Sequence, residues 1–469
     1  MADTPQPRNS VATAISESST ARPRVVTIKC GHGTHDTIHR RGAKPGPSFR
    51  AEPHGGRSVH SAVHGVAHVS PMMGDQVGQA QRRTAQGAPL GTNAKLRAPT
   101  SSPMARRVER FALQAVARNI LPDSRTAKCL RIRAHDCDVQ IWKSKEHGTA
   151  NYAGLQTCGS VWACPVCSAK IAERRRVELL QAMGMHRAQG GFVNLLTLTT
   201  PHQRGHDLRE LNGQQGNALQ SFLRDKSVKK VFAEMGYLGQ VRALEVTHGR
   251  KSARNNGWHP HFHILQFCQV KGSDAQRADW TERLYTRWAV YCQKAGLGKP
   301  SFEHGIKLDD GTKATHYVTK WGLEDEMTKG HTKKAKAGGE TPFDLLRAAL
   351  ADREDKQAAA LFKEFAECFK GKRQLSWSNG LKARFYVDEK TDEQLSNEKE
   401  DRAVLLGLLT VDQWRDVLKV DARGVLLEVA AHGGWERVQM YLHVIEGARE
   451  GISFDTSLLS DLRMLLLSA

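Results

Sequence analysis

Gly257-Trp-His259-Pro-His261-Phe-His263-Ile-Leu-Gln-Phe267 is the stretch on which the reading of this chain turns. An extended chain points successive side chains to opposite faces, so His261 and His263 project from one face and Phe262 from the other. Their spacing along the strand is twice the rise per residue, about 7 Å, and two imidazoles so placed can converge on one metal ion. A third donor is expected from Glu245 in Arg242-Ala-Leu-Glu245-Val-Thr247, on the preceding strand candidate, if the two strands pair antiparallel. Two nitrogens and one oxygen suit Mn²⁺ and tolerate Mg²⁺, with water and phosphate oxygens completing the shell and positions left open for substrate. His259 falls on the same face by parity, but Pro260 is expected to break the extended geometry there, which makes His259 an outer candidate. A lone strand histidine is more often a structural hydrogen-bonder. The pair, with a carboxylate one strand away, is what points to a metal.

The surroundings set the fold class. Strands are expected at Phe192–Thr199, Gln240–Thr247 and His261–Phe267, the first alternating in Leu196-Thr197-Leu198-Thr199 and stopped by Pro201. An amphipathic segment from Leu208 to Met235 separates the first from the second. Asn255-Asn256-Gly257 marks a long hairpin loop between the second and third. Trp280, Leu284, Trp288, Tyr291 and Cys292 recur at helical spacing. The order strand, helix, strand, strand, helix implies an α+β domain with an antiparallel sheet and flanking helices.

A cysteine knuckle precedes that sheet. Cys158-Gly-Ser-Val-Trp-Ala-Cys164-Pro-Val-Cys167 provides three thiolates on tight turns, the pattern of a tetrahedral Zn²⁺ site with a structural role. The fourth ligand is expected from Cys129 or Cys137, with His135 and His147 as weaker donors. Downstream, Ala314-Thr-His-Tyr317-Val-Thr-Lys320-Trp-Gly322 sets Tyr317 and Lys320 three apart, on one face if helical. Near a divalent metal they form a unit for attack on a phosphodiester: the phenol is the nucleophile and the ammonium stabilises developing charge.

Composition supplies the partner and the domain plan. Against 49 Asp plus Glu the chain carries 69 Lys plus Arg, a net charge of +20 that calls for a polyanion. Residues 1–105 contain Phe49 but no Trp or Tyr and are rich in Ser, Pro, Gly, His and Arg, so they are expected to be a disordered basic arm. Residues 106–190 form the zinc-binding element, 191–330 the sheet domain, 331–395 a Lys/Gly loop with a helical extension that includes Leu345–Phe369, and 396–469 a helical C-terminal region. No run of 18 apolar residues occurs, and Met1-Ala-Asp-Thr-Pro lacks a signal-peptide core, so a cytoplasmic location without membrane contact is expected.

The order of cysteine knuckle, Leu196-Thr-Leu-Thr199, His261-Phe-His263 and Tyr317-Val-Thr-Lys320 resembles the plasmid rolling-circle replication initiators of the HUH endonuclease superfamily. The resemblance covers about Cys129 to Asp388 and includes Gly159–Ile171 and Gly371-Lys-Arg-Gln-Leu-Ser-Trp-Ser378. It implies that His261 and His263, with Glu245, hold the divalent metal. Tyr317 would cut one strand of the plasmid origin, stay joined to the 5′ phosphate and free a 3′ hydroxyl for a host polymerase, with a host helicase as further partner and a homo-oligomer possible. Some family members carry a glutamate four residues before the tyrosine, where this chain has Lys313; others carry a second tyrosine four residues after it, where this chain has Trp321. The terminating step is therefore left to Asp309, Asp310, Glu324, Glu326 or a second protomer.

Two other readings share parts of this pattern. A non-catalytic zinc-finger DNA-binding regulator accounts for the charge and the knuckle but has no use for Tyr317 and Lys320 downstream of His261 and His263. A transposase or relaxase would use the same chemistry on different DNA.

Overall fold

Alternating and β-branched stretches become strands: β1 (Val139–Ser144), β2 (Ala150–Ala153), β3 (Phe192–Thr199), β4 (Tyr237–His248), β5 (Trp258–Cys268), β6 (Ile306–Asp310), β7 (Leu375–Trp377) and β8 (Ala403–Leu409). They belong to a computed structural model that describes residues 103–134, 137–253, 255–311, 339–398 and 402–449. The expected basic arm up to residue 102 lies outside these, as do His135, Lys313, Tyr317, Lys320, Trp321, Glu324 and Glu326. Among the described residues no helix is long and apolar enough to cross a membrane.

The main sheet runs β6-β3-β5-β4-β7 with every neighbouring pair antiparallel. Its centre, β3, β4 and β5, is the trio expected from the sequence; the edge strands β6 and β7 are too short to announce themselves by alternation. Period-2 geometry divides β5 between two cores. Trp258, Phe262, Ile264 and Cys268 face one core, shared with the helices Leu208–Arg224, Asp274–Lys294 and Lys356–Phe369. Leu265 and Phe267 face the other, against Leu179, Ala182 and Met183 of the long helix Pro165–Ala188. The apolar half of that second face is covered by helix, and its other half carries the histidines.

Two segments expected to be helical are helical, and each divides. Leu208–Met235 is not one helix but two, Leu208–Arg224 and Lys226–Glu234, because Asp225 closes the first and caps the second by accepting from the Ser227 and Val228 amides. Similarly, Leu345–Phe369 divides into Pro342–Ala351 and Lys356–Phe369, with Asp355 as the second N-cap.

Pro260 does not interrupt β5, which pairs with β4 through Val246↔Pro260 and on to His248↔Trp258. The Pro260 carbonyl accepts from the Gln215 side chain at 2.9 Å rather than from β4, so the nitrogen of the same residue also faces away from β4. On that side β3 has already ended, at Thr199↔His261, and no ladder bond is lost. The hairpin before it needs Gly257, whose φ is +75° and whose missing Cβ would meet the Gln203 carbonyl oxygen at 3.1 Å.

A second sheet, β2-β1-β8, joins the two ends of the described chain. The C-terminal region, expected to be helical from residue 396, contributes β8 to β1 before its helices Val411–Lys419 and Arg423–Arg449 begin. Val139, Ile141, Leu155, Trp414, Val417 and Leu426 then share one buried core, so this region and the expected zinc-binding element pack as one body. Trp414 is the anchor: its indole donates to the Arg131 carbonyl at 2.8 Å and meets the Tyr152 ring edge-on at 5.2 Å. Truncating such a buried aromatic costs roughly 3–5 kcal/mol. Trp414→Ala should therefore lower urea-unfolding stability by that order, and a loss of under about 1 kcal/mol would contradict the packing.

Candidate metal centres

The register of the central strands gathers the histidine site. Glu245 stands directly across from His261 in the β4–β5 ladder, and Thr197 on β3 stands across from His263. Residues directly opposite share a face, so all four side chains leave the sheet together. The Nε2 atoms of His261 and His263 lie 3.3 and 3.6 Å from the same oxygen, Oε2 of Glu245. One donor atom from each of the three residues fits within 4.8 Å of the other two. The imidazoles meet edge to face with ring centroids 4.9 Å apart, closer than the strand spacing alone gives, because both rings lean toward the carboxylate. The site is recessed but not sealed: the three side chains keep 10–17% of their surface.

The remaining nitrogens are occupied. Nδ1–H of His261 donates to the His259 carbonyl at 3.4 Å, and Nδ1 of His263 is 3.1 Å from the Thr197 hydroxyl. His259 does face the same side, but its ring is stacked on His202 at 4.4 Å and does not join the three-donor group. Burial, then the neighbouring His261 and His202, push His259 down to about 3, so it stays neutral. Of the acids proposed for termination, Asp310 is turned to the helical side toward Arg277. Asp309, across from Leu195, is on the histidine face and pairs with Lys307 at 2.8 Å.

The thiol site is equally defined. Cys129, Cys158, Cys164 and Cys167 are all buried, with sulfur separations of 3.5 Å (Cys129–Cys167), 3.7 Å (Cys158–Cys167) and 3.8 Å (Cys129–Cys164). Four sulfurs around a tetrahedral ion with Zn–S near 2.3 Å are separated by about 3.8 Å, whereas a disulfide requires about 2.05 Å. This set can hold a metal such as zinc. Hydrogen bonds with the Cys158, Cys164 and Cys167 thiols, reinforced by burial, push the Cys129 thiol far up, and a cation among the sulfurs is what reverses that cost. The choice left open in the sequence falls to Cys129; Cys137 is outside the cluster and His147 is exposed.

Local sequence explains the cradle. Cys164 is the N-cap of Pro165–Ala188, with Pro165 at the first helical position, and its sulfur accepts from the Cys167 amide at 3.5 Å. Gly159 turns the knuckle at φ +60°, where a Cβ would run into Glu393. Two partners were not foreseen from the sequence. Gln114 Nε2 donates to the Cys164 sulfur at 3.1 Å, and Gln114 Oε1 accepts from the buried Arg423 at 2.7 Å. Only tertiary packing brings these distant residues together; no local motif signals them.

Comparison with known proteins adds the family. Residues 151–285 match the replication protein family. The likeness to this family is confined to that segment. It holds Cys158, Cys164, Cys167, Glu245, His261 and His263, while Cys129 and Tyr317 lie outside the match. The chain is 24% identical over 308 residues to the protein named Protein rep of Streptomyces lividans, covering 51% of this chain and 66% of that one. It is 30% identical over 156 residues to a protein named Neomycin resistance protein of Streptomyces cyanogenus, covering 28% of this chain and 35% of that one. The chain thus spans just under two thirds of the first relative's length and about a third of the second's. No solved structure matches it.

The geometry distinguishes the two candidate fourth thiols. Cys129→Ser should lose the tightly bound metal measured by elemental analysis of protein purified without added metal, whereas Cys137→Ser should retain it. Equal metal content in both variants would contradict the assignment.

Proposed function

We propose that the protein initiates plasmid rolling-circle replication by nicking one strand of its origin DNA through a tyrosine transesterification. The observation that carries this reading is the convergence of His261 and His263 Nε2 on Glu245 Oε2, within a domain that matches replication proteins. Two imidazoles and one carboxylate, with Nδ1 of each ring engaged elsewhere, suit Mn²⁺ or Mg²⁺. When bound, that ion supplies Lewis-acid polarisation of the scissile phosphate. The four cysteines hold a structural Zn²⁺.

Tyr317 is the nucleophile. Its phenol oxygen bonds to phosphorus as the bond from phosphorus to the 3′ oxygen breaks, leaving a 5′-phosphotyrosine and a 3′ hydroxyl that takes up the proton. Lys320 stabilises the charge that develops on the phosphoryl oxygens. Chain length permits this. From Gly311, the residue after β6, Tyr317 is 317 − 311 = 6 residues away, an extended reach of about 20 Å. Asp310 and His263 lie on strands two apart, and their β3 partners, Asn194 and Thr197, are three residues apart. Those offsets correspond to roughly 14 Å. The far end of the segment is tied near the site, since Glu340 bridges His248 on β4 and accepts from Nε and Nη2 of Arg250, at 2.6 and 3.1 Å.

The partners under this reading are origin DNA, single-stranded or as a hairpin at the nick, then a host helicase and polymerase, in a bacterial cytoplasm. A second protomer, or Asp309 on the histidine face, remains for the terminating step.

Incubating the protein with circular DNA from its own replicon and Mn²⁺ tests the reading. A covalent protein–DNA adduct is expected, absent in Tyr317→Phe although that variant still binds the origin, and absent on chelation. The His261→Ala, His263→Ala double variant should not cleave, and Glu245→Ala should cleave more slowly. An undiminished adduct from Tyr317→Phe would move the nucleophile elsewhere, and normal cleavage by the double histidine variant would remove the metal role.

A further inference from the structure

The Leu196-Thr197-Leu198-Thr199 stretch ends β3 beside the histidines, and nothing so far assigns its hydroxyls a function. Thr197 stands across from His263, and its Oγ1 is 3.1 Å from His263 Nδ1. Two arrangements satisfy that contact. Either the hydroxyl donates to Nδ1, leaving the hydrogen on Nε2, or Nδ1–H donates to Oγ1 and leaves Nε2 with a bare lone pair.

His261 favours the second. Its Nδ1 contacts the His259 carbonyl, which can only accept, so in the neutral ring Nδ1 carries the hydrogen and Nε2 is bare. In that tautomer the Nε2 lone pair faces Glu245 Oε2 at 3.3 Å, the arrangement of two donors to one cation. His263 Nε2 approaches the same oxygen at 3.6 Å, and a matching tautomer makes three acceptors aimed at one point. We propose that Thr197 is a positioning residue whose hydroxyl accepts Nδ1–H of His263, fixing the ring with its Nε2 lone pair toward Glu245. The proposal rests on the reading of Glu245, His261 and His263 as a divalent-metal site. Packing does not account for the hydroxyl: Thr197 is half-buried, and valine has nearly the same shape and favours strands.

The test is Mn²⁺ binding by the full chain, read from the loss of the free Mn²⁺ electron paramagnetic resonance signal, with cysteine-bound metal content as the check on folding. Thr197→Val should weaken binding about 10–100-fold, whereas Thr197→Ser, which keeps the hydroxyl, should stay within about threefold of wild type. Wild-type affinity in Thr197→Val, or equal weakening by serine, would overturn the proposal alone. Absence of Mn²⁺ binding by the wild type would overturn the metal reading and this proposal with it. A second measurement needs no variant at Thr197: histidine ¹⁵N spectra of the wild-type chain, with His263 assigned by His263→Ala, should show hydrogen on Nδ1. Hydrogen on Nε2 would overturn the proposal.

Discussion

The register between β4 and β5 is the constraint on which the rest of the site depends. It stands Glu245 opposite His261, and the side-chain period of two then turns His263 to the same face. A slip of one residue would send the carboxylate to the helical side of the sheet and bury a charge among Phe262 and Ile264. The hairpin guards against this at its turn, where Gly257 takes a backbone conformation that leaves room for the Gln203–Arg204 chain. Farther along β5, Leu265 and Phe267 lock the same parity by filling the core under the helix Pro165–Ala188. Apolar packing at one end of the strand thereby positions chemistry at the other.

That helix also connects the two candidate centres. Its first turn begins at Cys164 and Cys167, and its last turns carry His186, whose Nε2 contacts the carbonyls of Phe192 and Cys268 at 3.0 and 2.9 Å. The thiol cluster is thus fastened to the distal end of β3 and β5. On its other side it is reached by Gln114, which in turn holds Arg423, a fully buried guanidinium that also bonds Asp421 and the Leu130 carbonyl. Through these bonds the start of a C-terminal helix is held against a segment some 290 residues earlier, the sequence separation of Arg423 and Leu130.

Much of the histidine site was readable because it is written at strand period within one short stretch. Parity gave His261 and His263, and one assumed antiparallel pairing gave Glu245. Pro260 misled because a proline inside a strand usually costs a ladder bond; here its carbonyl turns to Gln215, past the end of β3, which no local pattern encodes. Cysteine spacing found three thiols and preferred Cys129 over Cys137 as the fourth without a local pattern to exclude the latter; the fold gathers Cys129 with the other three. Thr197 was in plain view within the alternating stretch and acquired meaning only when the β3–β5 register set it against His263. β6 and β7 were missed because edge strands of five and three residues take their conformation from a partner rather than from their own alternation.

The central claim is that β3, β4 and β5 build a divalent-metal site from Glu245, His261 and His263. Anomalous X-ray scattering from crystals of the full chain soaked in Mn²⁺ tests it most directly. A single strong peak within bonding distance of both Nε2 atoms and the Glu245 carboxylate, distinct from any metal at the four cysteines, is the expected result. Mn²⁺ bound elsewhere, with the Glu245 carboxylate still in direct contact with the two imidazoles, would contradict it.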